Sequence, residues 1–571
     1  MQNNGVAEVF ENMADLLEIK GENPFRIRAY RNAARTVRGM PQEISELLKN
    51  GVELSGFPGI GKDLAKKIEE LHKTGHFTAL DNLEKQISPE LAKLMKIAGL
   101  GGKRVALIHK KLGLTTVEQL EEAAKEHRIC KLPGFGEKIE NSIIESIALF
   151  KASNNRFLLG YAEEVSKEII EYLQKLTCTG QITVAGSFRR CKETVRDLDI
   201  LVTGKDNQLI IDHFLHYPHF SKVISKGETR STALLISGLQ VDIRVVPQES
   251  YGAALHYFTG SQAHNISVRK RGVKRGLKIN EYGIFKGEKS IGGLEEDDVF
   301  RAVGVDFIPP ELREDWGEIE AAERSALPKL VNLNDIKGDL HVHTIATDGH
   351  ATIEENVFAA MKRGYSYLAI TDHSPRLAMA HGLSEESLAA QIEQIDTLNE
   401  KLGNFRILKG SEVDILEDGK LDLSNSILKL LDFTVCSVHS KMNLSREQQT
   451  NRVLKAMDNP FFTIFGHPTG RLINRRAPYE INFEGIMSAA RERNIVLEVN
   501  SFPDRLDLDA TYCRMAKDFG VKVAINTDAH GITDLDFMKY GVGQARRGWL
   551  EASDVINTRS LQELWKYFRR D

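Results

Sequence analysis

From residue 337 onward, short apolar runs alternate with helix-period segments, and most of the runs end on side chains that bind metals. The runs are 339-DLHVH, 367-YLAITDH, 406-RILKGSE, 433-FTVCSVH, 463-TIFGHP, 496-VLEVNS and 522-KVAINTDAH. Amphipathic segments at 384–402, 446–458, 483–494 and 509–519 lie between them. Alternation of this kind predicts a parallel sheet or barrel. Six of the seven runs deliver a ligand-type residue at the carboxyl end: His341 and His343, His373, Glu412, His439, His467, and Asp528 with His530. A parallel barrel carries its site at that edge. Core histidines would scatter along the strands instead.

The pair His341-x-His343 taken alone fits an ordinary strand. Residues i and i+2 face one side, however, so both imidazoles can grip one ion. Adding Asp348 gives nine candidate ligands: His341, His343, Asp348, His373, Glu412, His439, His467, Asp528 and His530. Imidazole and carboxylate without thiolate suit Mn²⁺, Zn²⁺ or Fe. Nine ligands exceed what one ion accepts, so two or three ions are expected. The predicted chemistry is hydrolysis of a phosphoester. Lys441 and Arg471 lie near the ligand loops and are candidate substrate contacts, with ordinary surface charge as the alternative.

The first third repeats one small pattern. It appears as 57-FPGIGKDLAKKIEEL-71, 97-IAGLGGKRVALIHKKL-112 and 132-LPGFGEKIENSIIESI-147. In each copy a Gly-apolar-Gly turn (Gly59/Gly61, Gly99/Gly101, Gly134/Gly136) precedes an amphipathic helix. The glycines permit a tight turn and close backbone approach, and the helix N-terminus is a natural phosphate seat. Three copies resemble the helix-hairpin-helix, a sequence-independent clamp on the DNA backbone. Net charge is only −4, but its distribution is uneven. Residues 261–290 hold eight basic and two acidic side chains, and residues 20–38 hold Lys20, Arg26, Arg28, Arg31, Arg35 and Arg38 against Glu22. Such patches suit a phosphate backbone, with solvated faces as the bland alternative.

The middle of the chain contains 184-VAGSFRRCKETVRDLDILV-202 and 241-VDIRVV-246. Strand alternation points Asp197 and Asp199 to one face, and Asp242 sits on a second short strand. Three carboxylates on neighbouring strands can hold two hard cations in the phosphoryl-transfer arrangement. Gly186 and Ser187 offer backbone approach and a hydroxyl, and Arg189 and Arg190 suit a triphosphate.

Residues 1 to about 318 resemble a bacterial family X DNA polymerase, through GSFRR with D-x-D, VDIR, 257-YFTGS-261, Asn265 with Arg269, and 279-INEYGI-284. The resemblance implies Mg²⁺ or Mn²⁺ on Asp197, Asp199 and Asp242, with Asp242 also near the primer 3′-hydroxyl. It implies dNTP contacts from Arg156, Ser187, Arg190, Tyr257, Phe258, Gly260 and Asn265, and a template contact from Arg269. Val195 and Arg196 replace the usual small residues before the D-x-D, and Gln240 stands where an arginine often orients the third aspartate. Lys67 falls at the Schiff-base position for 5′-deoxyribose phosphate removal, though it could equally contact a phosphate, and Lys66 replaces an adjacent acid. The last third resembles the PHP (polymerase and histidinol phosphatase) domain, a seven-stranded α/β barrel with two or three Mn²⁺ or Zn²⁺ ions, and all nine ligand positions are filled.

The resulting expectation is a multidomain chain: a helical lyase-like region over 1–85, a second helix-hairpin-helix region over 86–150, an α+β nucleotidyltransferase palm over 151–255, a thumb over 256–318, a linker over 319–336 and a PHP barrel over 337–571. The expected partners are gapped or primer-template DNA and dNTPs. The expected work is gap-filling repair synthesis with a 3′–5′ exonuclease, extended by abasic-site cleavage or 3′-phosphate removal. Competing readings make the PHP part a structural module, or a small-molecule phosphatase tethered to a DNA-binding arm. No apolar run approaches the ~20 residues of a membrane span. Five scattered cysteines without a C-x-x-C pair and a polar N-terminus suggest a cytoplasmic protein. No oligomerisation face is visible, so a monomer is expected.

Overall fold

A computed structural model describes residues 3–38, 44–57, 59–74, 77–88, 90–95, 97, 99–153 and 156–568. The chain divides into two compact units, Met1–Asn155 with Leu234–Leu239, and Arg156–Ala233 with Gln240–Asp571. No helix among the described residues is long and apolar enough to cross a membrane.

Residues 3–153 form only helices and turns among the described residues. The rings of Phe10, Tyr30 and Phe77 meet at centroid distances of 5.5, 5.7 and 6.3 Å within the core. The three sequence repeats become three copies of one turn. Gly59, Gly99 and Gly134 adopt φ of +83°, +87° and +79°, where an L side chain is strained. The next apolar N–H bonds back three residues: Ile60 to Phe57 (3.1 Å), Leu100 to Ile97 (3.0 Å) and Phe135 to Leu132 (3.0 Å). Ile60, Leu100 and Phe135 are buried and anchor each turn. Gly61, Gly101 and Gly136 are exposed, and a side chain there would meet nothing. Each helix start therefore lies open to an approaching backbone.

The second unit begins with a five-stranded sheet in the order Thr179–Val184, Asp197–Gly204, Gln240–Val246, Arg230–Leu235, Phe220–Lys226. Helices Leu159–Leu173 and Asn207–Leu215 pack on it. Next come helices Tyr251–Thr259, Gln262–Lys274 and Glu296–Val303 and a three-stranded antiparallel sheet spanning 278–292. Val268, Ile284, Phe300 and Leu312 share a core that also takes in Trp549. The stretch expected as a linker is packed: Val331 is buried and its N–H donates to the Leu550 carbonyl at 3.0 Å.

The predicted parallel strands of the last third form, but in two sheets. One holds Gly338–Asp339, Tyr367–Ile370 and Arg406–Lys409. The other holds Glu412–Asp414, Val435–Ser437, Ile464–Phe465, Val496–Asn500 and Val523–Asn526. The run 406–412 is split at Gly410-Ser411, where a Cβ on Gly410 would lie 2.7 Å from Thr371 Cγ2. Single parallel bridges, His373 with Glu412 and Val342 with Ala529, connect the two sheets. The cores of this region are dominated by Ile, Val, Leu and Phe, as expected of strands covered on both faces.

Two candidate metal centres

The first centre rests on strand register. Asp197–Gly204 and Gln240–Val246 run parallel with Asp199 opposite Asp242 and Asp197 opposite Gln240. Asp197, Asp199 and Asp242 therefore share one face of two adjacent strands. Asp242 is held from both sides, by the Thr232 hydroxyl on Oδ1 at 2.5 Å and the Gln240 amide on Oδ2 at 2.7 Å. Gln240 thus orients this aspartate without adding charge. Burial, together with the neighbouring Asp197 and Asp242 carboxylates, pushes Asp199 up to about 7. A set of crowded oxygens short of positive charge is what a hard divalent cation satisfies. Gly186 has φ +62°, and a Cβ there would lie 2.4 Å from Asp199 Oδ2. Only glycine lets the turn close over this carboxylate.

The expected nucleotide contacts are held by bonds of their own. Ser187 sits in the short helix Gly186–Arg189. Arg190 donates to Glu314 Oε1 (3.1 Å) and the Thr259 carbonyl (2.5 Å). Gly260, at φ +70°, leaves room for it, since a Cβ would lie 3.1 Å from Arg190 Nη1. Arg156 is fixed by Thr194, through Oγ1 at 2.7 Å and the carbonyl at 2.8 Å. The rings of Tyr257 and Phe258 meet edge-on at 5.1 Å, and Arg244 stacks on Phe258 at 4.2 Å. Asn265 donates to the Tyr257 carbonyl at 2.7 Å, and Arg269, one turn on, is exposed. Most of the basic segment is likewise exposed, but Arg271 is paired with Glu320 and Glu323. In the first unit, Lys67 donates to Tyr30 Oη at 2.8 Å and pairs with Asp63 at 2.5 Å.

The second centre brings all nine predicted residues of the last third together: His341, His343, His373, His439, His467, Asp528 and His530 follow the carboxyl ends of strands, whereas Glu412 opens strand Glu412–Asp414 and Asp348 lies in the turn beyond Gly338–Asp339. Glu412 is its hub: its oxygens lie 2.9 Å from His373 Nδ1 and His467 Nε2, 3.1 Å from His439 Nε2, 3.3 Å from His341 Nε2 and 3.5 Å from His343 Nε2. Asp528 approaches His343 at 3.0 Å, and Asp348 approaches His373 at 3.3 Å and His530 at 3.4 Å. Three overlapping groups offer ligand atoms within 4.8 Å of one another: His343, Asp348, His373 and His530; His341, His343, Glu412 and Asp528; and His373, Glu412 and His439. His343 Nδ1 and Asp348 Oδ1 are buried without a hydrogen-bond partner, and His341 Nε2 and His373 Nδ1 lie close to Glu412 without a well-directed hydrogen bond. Orphaned buried donors and acceptors are costly, and convergent ones fit metal ligands. Burial opposes charge throughout: the opposite charges outweigh it at Glu412 and Asp528, which stay well below the usual carboxylate range, and at His373, which rises to about 10, whereas burial prevails at His343 and His467, which are pushed down.

Behind the ligands stands a layer that the run-end pattern does not reveal. Glu498, in the one run without a terminal ligand, accepts from His341 Nδ1 (2.7 Å), the His467 N–H (2.7 Å), Asn526 (2.9 Å) and Asn500 (3.2 Å). Asp414 meets His439 Nδ1 at 3.2 Å. Asp372 ties down the loop carrying Asp348, accepting from the Thr344 N–H and hydroxyl and the Thr347 hydroxyl at 2.5–2.8 Å. The signals available were a Glu inside an apolar run, and an i+2 partner to Glu412. Arg471, read from sequence as either a substrate contact or an ordinary surface charge, is buried, with its guanidinium donating to the Arg505 carbonyl (2.8 Å), the Leu506 carbonyl (2.5 Å) and Glu193 (2.7 Å). Lys441 is exposed and pairs with Glu417 at 3.2 Å.

Known families match four stretches of the chain. A helix-hairpin-helix domain model matches residues 1–77, and a SAM-like helix-hairpin-helix tandem matches 91–148. The DNA polymerase beta thumb matches 254–314, and the PHP domain matches 339–502. A probable phosphatase of Thermoanaerobacter sp. (strain X514) is 33% identical over 232 residues, 38% of this chain and 89% of its own length. A probable phosphatase of Clostridium novyi (strain NT) is 31% identical over 203 residues, 34% of this chain and 78% of its own length. The DNA polymerase/3′-5′ exonuclease PolX of Bacillus subtilis (strain 168) is 38% identical over 577 residues, covering 100% of both chains. The chain, with these domains in this order, belongs to the PolX family.

Proposed function

We propose that the chain is a template-directed DNA polymerase that carries a second, separate active site, a metal-dependent 3′–5′ exonuclease. The observation that carries this reading is the coexistence of two complete donor sets in one chain, three aspartates on paired strands and a nine-residue histidine–carboxylate cluster. In this reading Asp197, Asp199 and Asp242 hold Mg²⁺ or Mn²⁺, and the nine-residue cluster, on a seven-stranded PHP barrel, holds two or three Mn²⁺ or Zn²⁺ ions. Such cations supply charge neutralisation at phosphoryl oxygens and a water that ionises near neutral pH. The protein's own groups bind and orient. Thr232 and Gln240 fix Asp242, which receives the primer 3′-hydroxyl proton. Ser187, Arg190 and Arg156 take the triphosphate, Tyr257 and Phe258 wall the sugar, and Asn265 and Arg269 face the minor-groove edges of the new pair. The three glycine turns, with their open helix starts, grip the DNA backbone without reading sequence.

The two chemistries together suit repair of short gaps, in which an unextendable 3′ end is trimmed before synthesis. Abasic-site cleavage and 3′-phosphate removal extend the same hydrolysis to other 3′ ends. For Lys67, the Asp63 pairing supports a phosphate contact over lyase work, because an amine held as ammonium is a poor nucleophile. The test is a labelled primer on a one-nucleotide gap with Mn²⁺. With dNTPs the primer should lengthen by one residue, and without them it should shorten from its 3′ end. A primer unchanged under both conditions would overturn the reading.

A further inference from the structure

The turn that carries Ser187 and Arg190 does not stand on the polymerase part alone. Its outer side is built from the C-terminal part of the chain. Helix Met538–Arg547 lays Gly543 against Cys191, where a Cβ would come within 3.1 Å of the cysteine Cβ. From the same helix, Gln544 Nε2 donates to the Cys191 carbonyl at 2.9 Å, and Arg547 Nη1 donates to the Arg190 carbonyl at 2.7 Å. Arg547 Nη1 also reaches Glu314 Oε1 at 3.0 Å, the same oxygen that receives Arg190 Nε at 3.1 Å. Arg547 and Glu314 are both largely buried. Two residues further along the turn, Glu193 is bound by Arg471, whose other bonds go to the Arg505 and Leu506 carbonyls.

We propose that Gln544 and Arg547 are positioning residues of the nucleotide-addition site, supplied by the C-terminal part of the chain. Neither touches a reacting atom. Arg547 holds the Arg190 main chain directly and the Arg190 side chain through Glu314, and Gln544 holds the next carbonyl. Together they set where the Arg190 guanidinium meets the triphosphate. This rests on the reading of Arg190 as a triphosphate contact. The chemistry requires a support of this kind, because a buried arginine shared between a carbonyl and a carboxylate has a fixed geometry. A small displacement of an orienting group is felt mainly in binding and alignment of the substrate.

The test uses the full-length chain with Arg547→Met, Arg547→Lys and Gln544→Leu. Single-nucleotide addition is followed over a range of dNTP concentrations, and 3′–5′ degradation in the same preparations reports that the C-terminal part remains folded. Arg547→Met should raise KM for dNTP roughly tenfold with a smaller fall in kcat, since an orienting contact is lost while the aspartates are kept. Gln544→Leu should shift KM in the same direction by a smaller factor, and Arg547→Lys should recover part of the loss. Arg190→Ala and Asp197→Ala run alongside. If Asp197→Ala still adds nucleotides, or Arg190→Ala leaves KM unchanged, the underlying reading of the site fails. If both controls behave as expected while degradation-competent Arg547→Met and Gln544→Leu keep the wild-type KM, the positioning role is overturned. Should Arg547→Met fail to fold, Gln544→Leu decides the matter alone by the same criterion.

Discussion

Replacing Glu498 with alanine should disable the second centre without touching any of its nine predicted ligands. The Glu498 carboxylate lies on strand Val496–Asn500 and is fully buried. Burial works against its ionisation, but the His341 imidazole at 2.7 Å outweighs burial and keeps it below the usual carboxylate range. The bond to His341 Nδ1 fixes that ring so that Nε2 faces Glu412 and Asp528. The bond to the His467 N–H sets the backbone of another ligand. Removing an outer partner of this kind costs about 10- to 100-fold in metal affinity or activity, which corresponds to about 1.4–2.7 kcal/mol. The alanine variant also leaves His341 Nδ1, the His467 N–H and Asn526 Nδ2 without this acceptor, each costing about 1–3 kcal/mol when water cannot reach it, while Asn500 Nδ2 keeps its bond to Asp528. The assay is 3′–5′ degradation measured against Mn²⁺ concentration, with nucleotide addition by the same protein as a control for folding. Half-saturating Mn²⁺ should rise by about 10- to 100-fold while addition persists. Glu498→Gln, which keeps the volume and one acceptor, should lose less. Unchanged Mn²⁺ dependence and rate in a folded Glu498→Ala protein would refute the role assigned to this carboxylate.

Three further outcomes follow from the same geometry. Gly186→Ala should abolish nucleotide addition and spare 3′ degradation in primer assays, because a Cβ would lie 2.4 Å from Asp199 Oδ2 at a strained φ of +62°. Chelation should lower the melting temperature and Mn²⁺ should restore it. An ion at about 100 times its Kd adds about 2.7 kcal/mol, and His341→Ala should shrink this shift in thermal melts. Acid should weaken the contacts around Glu296, whose carboxyl is pulled down to about 2 because Arg189 and Arg313 outweigh the opposing effect of burial. The folded pKa lies below the unfolded value, so this stabilisation is complete above pH 4.5 and fades as pH falls toward 2. It amounts to about 3 kcal/mol, and Glu296→Gln should flatten the loss in denaturant titrations across that window.

Much of this architecture could be read from local pattern. Most residues of the histidine–carboxylate cluster were visible because a parallel strand delivers the side chains at its end to one edge, and that rule needs no knowledge of which strands are neighbours; Asp348 came from its nearness to His343 in sequence, and Glu412 opens a strand of its own after the break at Gly410. The glycine turns were visible because Gly59, Gly99 and Gly134 need positive φ, which few other residues adopt. Glu498 was hidden because it sits within an apolar run, not at its end, and its partner His341 is 157 residues away in sequence. The role of Arg471 was hidden for a related reason. Its carboxylate partner, Glu193, lies 278 residues earlier, and nothing local distinguishes a buried bridging arginine from one that faces substrate. The split at Gly410 depends on how closely residues 370–371 approach, which is a packing property that periodicity does not encode.

The account stands most directly on the separation of the two sites. A labelled primer on a one-nucleotide gap, incubated with Mn²⁺ with and without dNTPs, can be compared for wild type, Asp197→Ala and His341→Ala. Extension lost only in Asp197→Ala and 3′ degradation lost only in His341→Ala is the predicted result. Degradation by His341→Ala at the wild-type rate would contradict it, and would return the histidine cluster to a structural role or to a small-molecule substrate.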